Sequence, residues 1–249
     1  MLCLVAHPDD ETIFCGGTLA KLAAQGVAIH VLCLTRGEGG ELGEPPLTDR
    51  EHLGEVRAAE LTCAVEKLGV QRLNFLGYMD PVVGPEDKLF APEHDPLTLA
   101  EQITNCLKQN DDGVILTHGS NGEYGHPAHQ LLNRIVRQVV ASSGLESTVL
   151  YSFGATYTHH PYPRLSNPDD PADWVVDVSA FMEQKEAAAR CHTTQNALFV
   201  RRRSQMAGRP LTLREVLLTE EAFHRHWPVE PASDDQFLKW LADSDPKGF

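Results

Sequence analysis

The chain of 249 residues lacks the features that mark several large classes of protein. It contains no apolar run long enough to span a membrane and no recognisable secretory signal, and we therefore expect a cytoplasmic protein. Its six cysteines form no C-x-x-C pair. We expect them to be reduced thiols, as is usual in the cytoplasm.

Positive charge is also scarce. The 21 Lys and Arg residues stand against 35 Asp and Glu, which gives a net charge of −14. Nucleic acids and anionic membranes attract proteins with clustered Lys and Arg, so we expect neither as a partner. The one basic run, at residues 201–203, is predicted to be a solvated loop.

The dinucleotide fingerprint G-x-G-x-x-G is absent after the first apolar strand, where the sequence reads A-H-P-D-D-E at residues 6–11. His7 is expected at the carboxyl end of that strand, and Asp9 and Asp10 at the start of the next helix. Open α/β sheets bind ligands at this edge. A histidine beside two carboxylates suggests a hydrolytic metal centre, although acidic residues at a helix start also serve as caps.

A second polar run, G-E-Y-G-H-P-A-H at residues 122–129, follows another apolar strand. Pro127 suits the first position of a helix, and His126 and His129 are spaced to share one face of its first turn. An isolated H-x-x-H is weak evidence for a metal site. The two runs follow strands that we expect to end at the same sheet edge, and together they supply the three protein ligands of a catalytic zinc site.

Apolar runs and periodic segments alternate along most of the chain. Strands are predicted at residues 1–5, 28–35, 71–76, 113–117, 147–152 and 174–178. Helices are predicted at residues 15–25, 48–68, 96–109, 126–142 and 180–190, with an irregular stretch at 154–173 and one further element near 220–224. This alternation predicts an α/β fold with a mainly parallel sheet and helices on both faces.

The A-H-P-D-D-E and G-E-Y-G-H-P-A-H runs resemble the LmbE/PIG-L family of zinc-dependent N-deacetylases. A third segment, from Lys185 to His192 and Gln195, resembles the family's K…H-x-S-Q element, with Thr194 in place of the commoner serine. The resemblance implies a Rossmann-like catalytic domain over residues 1–195. Residues 196–249 are expected to form a small irregular C-terminal extension packed on the same domain.

The resemblance also assigns roles to site residues. It implies that His7, Asp10 and His129 bind Zn²⁺, that Asp9 is the general base, and that His126 is the acid or the oxyanion partner. Fe²⁺ or Co²⁺ would fit the same ligands.

The resemblance implies that the loop beginning at residue 36 helps bind the sugar or its aglycone, and side chains of or beside the second and third motifs could line or close the pocket. Five further residues are therefore candidates for binding substrate. These are Arg36, Glu38, His118, Tyr124 and His192. Each has a structural alternative: Arg36 with Glu38 or Glu41 as a loop salt bridge, His118 as a loop cap, Tyr124 as packing beside the histidines, and His192 in a structural role. Asp80 is a weaker candidate at the same edge.

The resemblance implies an enzyme that removes an N-acetyl group from a small amino-sugar conjugate of the N-acetylglucosamine type. One alternative is an amide hydrolase acting on a thiol or amino-acid conjugate, and another is a non-catalytic metal- or sugar-binding protein. The spare carboxylate of Asp9 disfavours a purely binding role, because holding a metal does not need it. A homo-oligomer, a trimer or hexamer, is expected by resemblance alone.

Overall fold

The structure is a computed structural model that describes residues 1–110, 113–142, 144, 148–229 and 235–242. Its strands are β1 (Leu2–Val5), β2 (His30–Thr35), β3 (Arg72–Tyr78), β4 (Val114–Thr117), β5 (Val149–Phe153), β6 (Ala155–Thr156), β7 (Asn167–Pro171), β8 (Trp174–Asp177) and β9 (Glu220–Trp227). Its helices are α1 (Asp10–Ala24), α2 (Leu53–Lys67), α3 (Pro96–Asn110), α4 (Gly122–Gly125), α5 (Pro127–Ser142), α6 (Met182–Cys191), α7 (Thr193–Ala207), α8 (Leu213–Val216) and α9 (Gln236–Ala242).

Seven strands form one sheet in the order β3-β2-β1-β4-β5-β9-β8. The first five are parallel, and β9 pairs antiparallel with both β5 and β8. Two separate apolar clusters cover the sheet, one including residues of α1, α2 and α6, the other residues of α3 and α5. The predicted α/β fold with a mainly parallel sheet and helices on both faces is confirmed.

The strand order places the site. The chain moves outward from β1 to β2 and β3, then returns to the other side of β1 for β4 and β5. The connections after β1 and β4 therefore lead away from each other and leave a crevice at the carboxyl ends of these two neighbouring strands. The A-H-P-D-D-E run follows β1 and the G-E-Y-G-H-P-A-H run follows β4, so both open onto this crevice.

Two predicted helix starts differ from the structure. Helix α1 begins at Asp10, which agrees with the expected position of Asp9 and Asp10 at a helix start but not with the helix bounds predicted from residue 15. Helix α2 begins at Leu53 rather than at residue 48. In α1 the acidic pair Asp10 and Glu11 occupies the first turn, where carboxylates favour the positive end of the helix dipole. The predicted ligand Asp10 therefore lies in the helix, and Asp9 directly precedes it.

The expected irregular segment after residue 195 needs correction within the described residues. Residues Thr193–Ala207 form α7, so the basic run 201–203 lies on a helix and not in a solvated loop. Strand β9 enters the main sheet between β5 and β8. Its sequence, E-E-A-F-H-R-H-W, contains few of the apolar residues that predict a buried strand. Residues 224–227 of this strand are only partly buried.

The cysteines also differ from expectation. Cys63 of α2 and Cys191 at the end of α6 form a disulfide with a Cα–Cα distance of 5.8 Å, which links the two helices. Cys3, Cys15 and Cys33 are buried thiols, as expected for core cysteines. None of the helices within the described ranges is both long and apolar enough to cross a membrane.

The third motif has a structural role. Lys185 is fully buried, and its Nζ lies 2.7 Å from Oε1 of Glu221 on β9. The two oxygens of Glu221 also accept hydrogen bonds from the backbone N–H groups of Gly17 and Thr18 in α1. One buried carboxylate therefore joins α6, β9 and the middle of α1. Glu60 of α2 accepts the backbone N–H of Thr194 at the start of α7.

Candidate metal centre

Three side-chain atoms from the two motifs converge at the crevice. Nδ1 of His7 and Nε2 of His129 lie 3.2 Å apart. Oδ2 of Asp10 lies 3.3 Å from the first nitrogen and 3.4 Å from the second. The three predicted metal ligands thus form a nearly equilateral triangle, although they come from positions 122 residues apart in the chain.

The triangle fits a tetrahedral metal. Zinc binds histidine nitrogens and carboxylate oxygens at about 2.0–2.2 Å, so two ligands of a tetrahedral ion lie about 3.3–3.5 Å apart. The observed separations of 3.2, 3.3 and 3.4 Å match one face of such a tetrahedron. Three protein ligands leave the fourth position for water, which is the arrangement of catalytic rather than structural zinc sites.

Glu123 orients the ring of His129. Its Oε2 lies 2.6 Å from Nδ1 of His129 and 3.1 Å from Nδ1 of His118. A proton on Nδ1 of His129 leaves Nε2, the atom of the triangle, free to bind a cation. Burial raises the pKa of Glu123, but the neighbouring His118 and His129 outweigh this effect and lower it to about 2.

His118 packs against the ligand His129. It is fully buried, and its ring stacks on that of His129 with centroids 3.8 Å apart. Its Nε2 accepts a hydrogen bond from the backbone N–H of Ala6, so that nitrogen is not available to a ligand. His118 was predicted to bind substrate, whereas the geometry favours a positioning role.

Asp9 is held beside the triangle in an unusual backbone conformation. Its φ is 108°, a value that residues other than glycine rarely adopt. Nη2 of Arg57 donates to Oδ2 of Asp9 at 2.8 Å and to the carbonyl oxygen of Pro8 at 2.7 Å. Burial raises the pKa of Asp9 to about 7, even though the Arg57 guanidinium acts in the opposite direction.

Glu11 fixes the Asp9 backbone from the other side. The N–H of Asp9 donates to Oε2 of Glu11 at 3.0 Å, and Nε2 of His192 lies 3.0 Å from Oε1 of the same carboxylate. Neither Glu11 nor His192 has exposed surface. His192 was expected to bind substrate, but here it holds Glu11.

His126 lies at the same opening. Its ring centroid is 4.7 Å from that of His7 and 4.4 Å from that of His129. The backbone N–H of Ala128 donates to Nδ1 of His126, so a neutral ring carries its proton on Nε2. Burial, with the His129 and His7 rings, lowers the pKa of His126 well below its ordinary value.

The loop after β3 approaches the centre through Asp80. Oδ1 of Asp80 lies 3.2 Å from Nε2 of His7, and burial, which lowers the pKa of His7, is outweighed by Asp80 and Asp10, which raise it to about 10. Oε2 of Glu38 accepts the backbone N–H groups of Asp80 and Arg36. Arg36 is exposed near the ring of Phe75. Glu38 therefore braces the loop, and the substrate-binding roles of Arg36 and Glu38 stay predictions.

A cavity of about 160 Å³ adjoins the centre. Its walls combine the acidic pair with a tyrosine, two arginines and apolar side chains: Asp9, Asp10, Ile13, Phe14, Tyr124, Leu165, Phe199, Arg202, Arg203 and Val216. Tyr124 is 41% exposed, and its ring centroid is 5.6 Å from that of His129. Of the five residues expected to bind substrate, Tyr124 is the one that lines this cavity.

The sequence patterns did not assign three charged residues of the site. Arg57 and Glu123 carried no predicted role, and Arg203 was placed in a loop. A signal for Arg57 exists, because it lies on the buried stripe of α2 together with Leu53, Leu61 and Ala64, where a charged residue needs a partner. Glu123 lies within the second motif, but its spacing from His129 in the sequence does not indicate their contact.

The chain is similar to a known protein family. Residues 2–140 match the family described as PIG-L: GlcNAc-PI de-N-acetylase. The matched segment contains the whole ligand triangle and covers more than half of the chain. The chain belongs to the PIG-L family. The predicted resemblance is thereby confirmed.

Curated PIG-L relatives cover most of the chain. A 1D-myo-inositol 2-acetamido-2-deoxy-alpha-D-glucopyranoside deacetylase from Thermobifida fusca is 31% identical, over 80% of this chain and 84% of its own length. The protein of the same description from Mycolicibacterium vanbaalenii is 30% identical, over 78% of this chain and 80% of its own length.

Solved structures show the same fold in proteins of different activities. An N,N'-diacetylchitobiose deacetylase from Pyrococcus horikoshii matches with a TM-score of 0.63 at 19% identity, over 94% of this chain and 87% of that one. GalB, a 4-carboxy-2-hydroxymuconate hydratase from Pseudomonas putida, matches with a TM-score of 0.61 at 20% identity, over 93% of this chain and 97% of that one. The PIG-L fold alone therefore does not select the reaction.

Proposed function

We propose that this PIG-L protein is a metal-dependent hydrolase that removes the N-acetyl group from a small conjugate of N-acetylglucosamine. The observation that carries the proposal is the triangle of His7, Asp10 and His129, whose edges match a tetrahedral zinc site with one open position. The relatives that are 30–31% identical over most of the chain carry the name of an amino-sugar deacetylase, which supports the substrate class.

Zinc fits the donor set, because two imidazoles and one carboxylate are ligands that it binds in hydrolases; Fe²⁺ or Co²⁺ would fit the same set. A zinc ion held here would lower the pKa of a bound water to about 7 and polarise the amide oxygen. The protein supplies the orientation of the ligands, since Glu123 and Asp80 each contact the second ring nitrogen of a ligand histidine.

Asp9 is the proposed general base. Its carboxylate borders the cavity next to Asp10, where it can accept a proton from the attacking water. The hydrogen bond from Arg57 engages Oδ2 and leaves Oδ1 for this task. The same carboxyl group can then return the proton to the leaving nitrogen.

His126 is the proposed oxyanion partner. The hydrogen bond that Nδ1 accepts from Ala128 places the proton of the neutral ring on Nε2, so His126 can donate to the developing negative charge without being protonated first. Such a donor contributes about 3–4 kcal/mol in other hydrolases. Of the two roles predicted for His126, this tautomer favours the oxyanion partner over the acid.

The test is release of free amine from a panel of N-acetylglucosamine conjugates, with metal content measured on the same sample. The panel includes the inositol conjugate named for the relatives, N,N'-diacetylchitobiose, and an N-acetylated thiol compound without a sugar. Release that stops with a chelator and returns with Zn²⁺, at about one metal per chain, supports the proposal. Release from the non-sugar amide alone would replace the sugar substrate, and bound metal without any release would indicate a binding protein.

A further inference from the structure

The cavity beside the metal centre contains a buried cation with no acidic partner. Arg203 is 8% exposed, and its Nη1 has no hydrogen-bond partner among the described residues. Its guanidinium carbon lies 3.8 Å from the ring centroid of Tyr162, so the group is stacked and its in-plane donors are left over. Within the described part of the chain, no carboxylate forms a salt bridge with it.

The two arginines that precede Arg203 in α7 are not buried without a partner as Arg203 is. Arg201, on the same helix, pairs with Glu41 at 2.6 Å and with Glu44 at 2.7 Å. Arg202 is exposed and lines the same cavity as Arg203. Burying a charge without a partner is costly, so a buried guanidinium beside an open cavity favours a ligand that brings the partner.

We propose that Arg203, assisted by Arg202, binds an anionic group of the substrate, a carboxylate or a phosphate monoester attached to the N-acylated sugar. The inference rests on the proposed function and names the chemical class of its substrate. The planar fork of a guanidinium matches both kinds of anion through two parallel hydrogen bonds. Stacking on Tyr162 holds the plane of this fork in place.

The lining of the cavity brings the acidic pair and the two arginines to one space. Asp9 and Asp10 line it together with Arg202 and Arg203. An anionic group attached to the sugar can therefore contact the arginines while the amide lies near the acidic pair.

The test compares matched neutral and anionic substrates. We would measure kcat/KM for N-acetylglucosamine, its 1-phosphate, its 6-phosphate and N-acetylmuramic acid, which carries a carboxylate. The unmodified protein is expected to prefer at least one anionic substrate over the neutral sugar by about 10- to 100-fold, mainly through KM. Arg203→Gln should remove this preference, so that the ratio of kcat/KM for the anionic substrate to kcat/KM for the neutral sugar falls to about one.

Two further variants separate binding from folding. Arg203→Lys keeps a charge and should retain part of the preference, and Arg190→Gln, a change at an exposed arginine of α6 that pairs with Glu186, should retain all of it. A preference for anions that survives Arg203→Gln, or similar kcat/KM values for all four sugars in the unmodified protein, would overturn the inference while leaving the deacetylase proposal intact.

Failure of the proposed function itself has a different signature, which is no hydrolysis of any amide. In that case, calorimetric binding of glucosamine 6-phosphate and glucosamine to the zinc-loaded protein tests Arg203 by itself. Tighter binding of the phosphate that is lost in Arg203→Gln would support the anion site, and equal binding of the two compounds would refute it.

Discussion

The backbone N–H of Asp9 donates to Oε2 of Glu11, two residues further along the chain, at 3.0 Å. This bond stabilises the φ of 108° at Asp9. Asp9 lies in the turn between strand β1, which ends before His7, and helix α1, which begins at Asp10. This turn directs the two adjacent carboxylates to different partners. Asp10 completes the ligand triangle, while Asp9 accepts a hydrogen bond from Arg57 and lines the cavity.

Glu11 should therefore be a positioning residue. Glu11→Gln replaces one of the two acceptor oxygens with an amide donor, so either the Asp9 N–H or the His192 ring loses its partner. We expect kcat to fall by about 10²-fold with little change in KM, because small displacements of a reacting group have effects of this size. Steady-state kinetics with metal analysis checks this expectation. A merely structural role would lower the melting temperature and leave kcat per folded protein unchanged.

Asp9 and Asp10 should separate chemistry from metal binding. Asp9→Asn removes the base but no ligand, so we expect about one metal per chain and a kcat lower by about 10²- to 10⁴-fold. Asp10→Asn removes a ligand and should give protein with little metal. Metal analysis and amine release on both variants provide the comparison. Near-normal turnover in Asp9→Asn would assign the base to another residue.

Glu123 should set the metal affinity without touching the metal. Glu123→Gln weakens the hydrogen bond to Nδ1 of His129, and we expect metal affinity to fall by about 10- to 100-fold. Competition with a chelator of known affinity measures this change. Glu183→Gln, at an exposed position of α6, is the control and should bind metal as the unmodified protein does. Equal affinity in the two variants would contradict the role of Glu123.

The adjacent glycines of α1 make opposite predictions for stability. A Cβ atom on Gly17 would lie 2.5 Å from Cβ and Cγ2 of Val178, whereas a Cβ on Gly16 would meet its nearest neighbours at 3.5 Å. Gly17→Ala should therefore lower the free energy of unfolding by about 1–3 kcal/mol through overpacking. Gly16→Ala should raise it by up to about 1 kcal/mol, because alanine favours the helix. Denaturant titration of both variants measures the difference, and similar values would show that Val178 moves aside.

Much of the parallel half of the fold could be predicted because its signals are local. Strands β1 and β4 are continuous apolar runs, and polar motifs follow directly after each of them. That pattern was sufficient to bring His7 and His129 together across the crevice. It could not predict Arg57, whose contact with Asp9 joins residues 48 apart and depends on how α2 packs.

The antiparallel edge was harder to predict because its stability comes from packing rather than from periodicity. In β9, Glu221 is a buried carboxylate whose acceptors are satisfied by Lys185 and two backbone N–H groups of α1. A sequence pattern reads such a residue as solvent-exposed. The same reasoning explains Arg203, which a local pattern assigns to a solvated run although Tyr162 covers it.

The cavity next to the triangle draws its walls from distant parts of the chain. Asp9, Asp10 and Tyr124 lie within the segment that matches the family, while Phe199, Arg202 and Arg203 lie well beyond it on α7. Under the proposed anion site, the residues of the reaction and those that select the substrate would be encoded in separate stretches of the gene. Substitutions in α7 would then change the preferred conjugate without altering the metal ligands, which makes this helix a starting point for libraries aimed at altered selectivity.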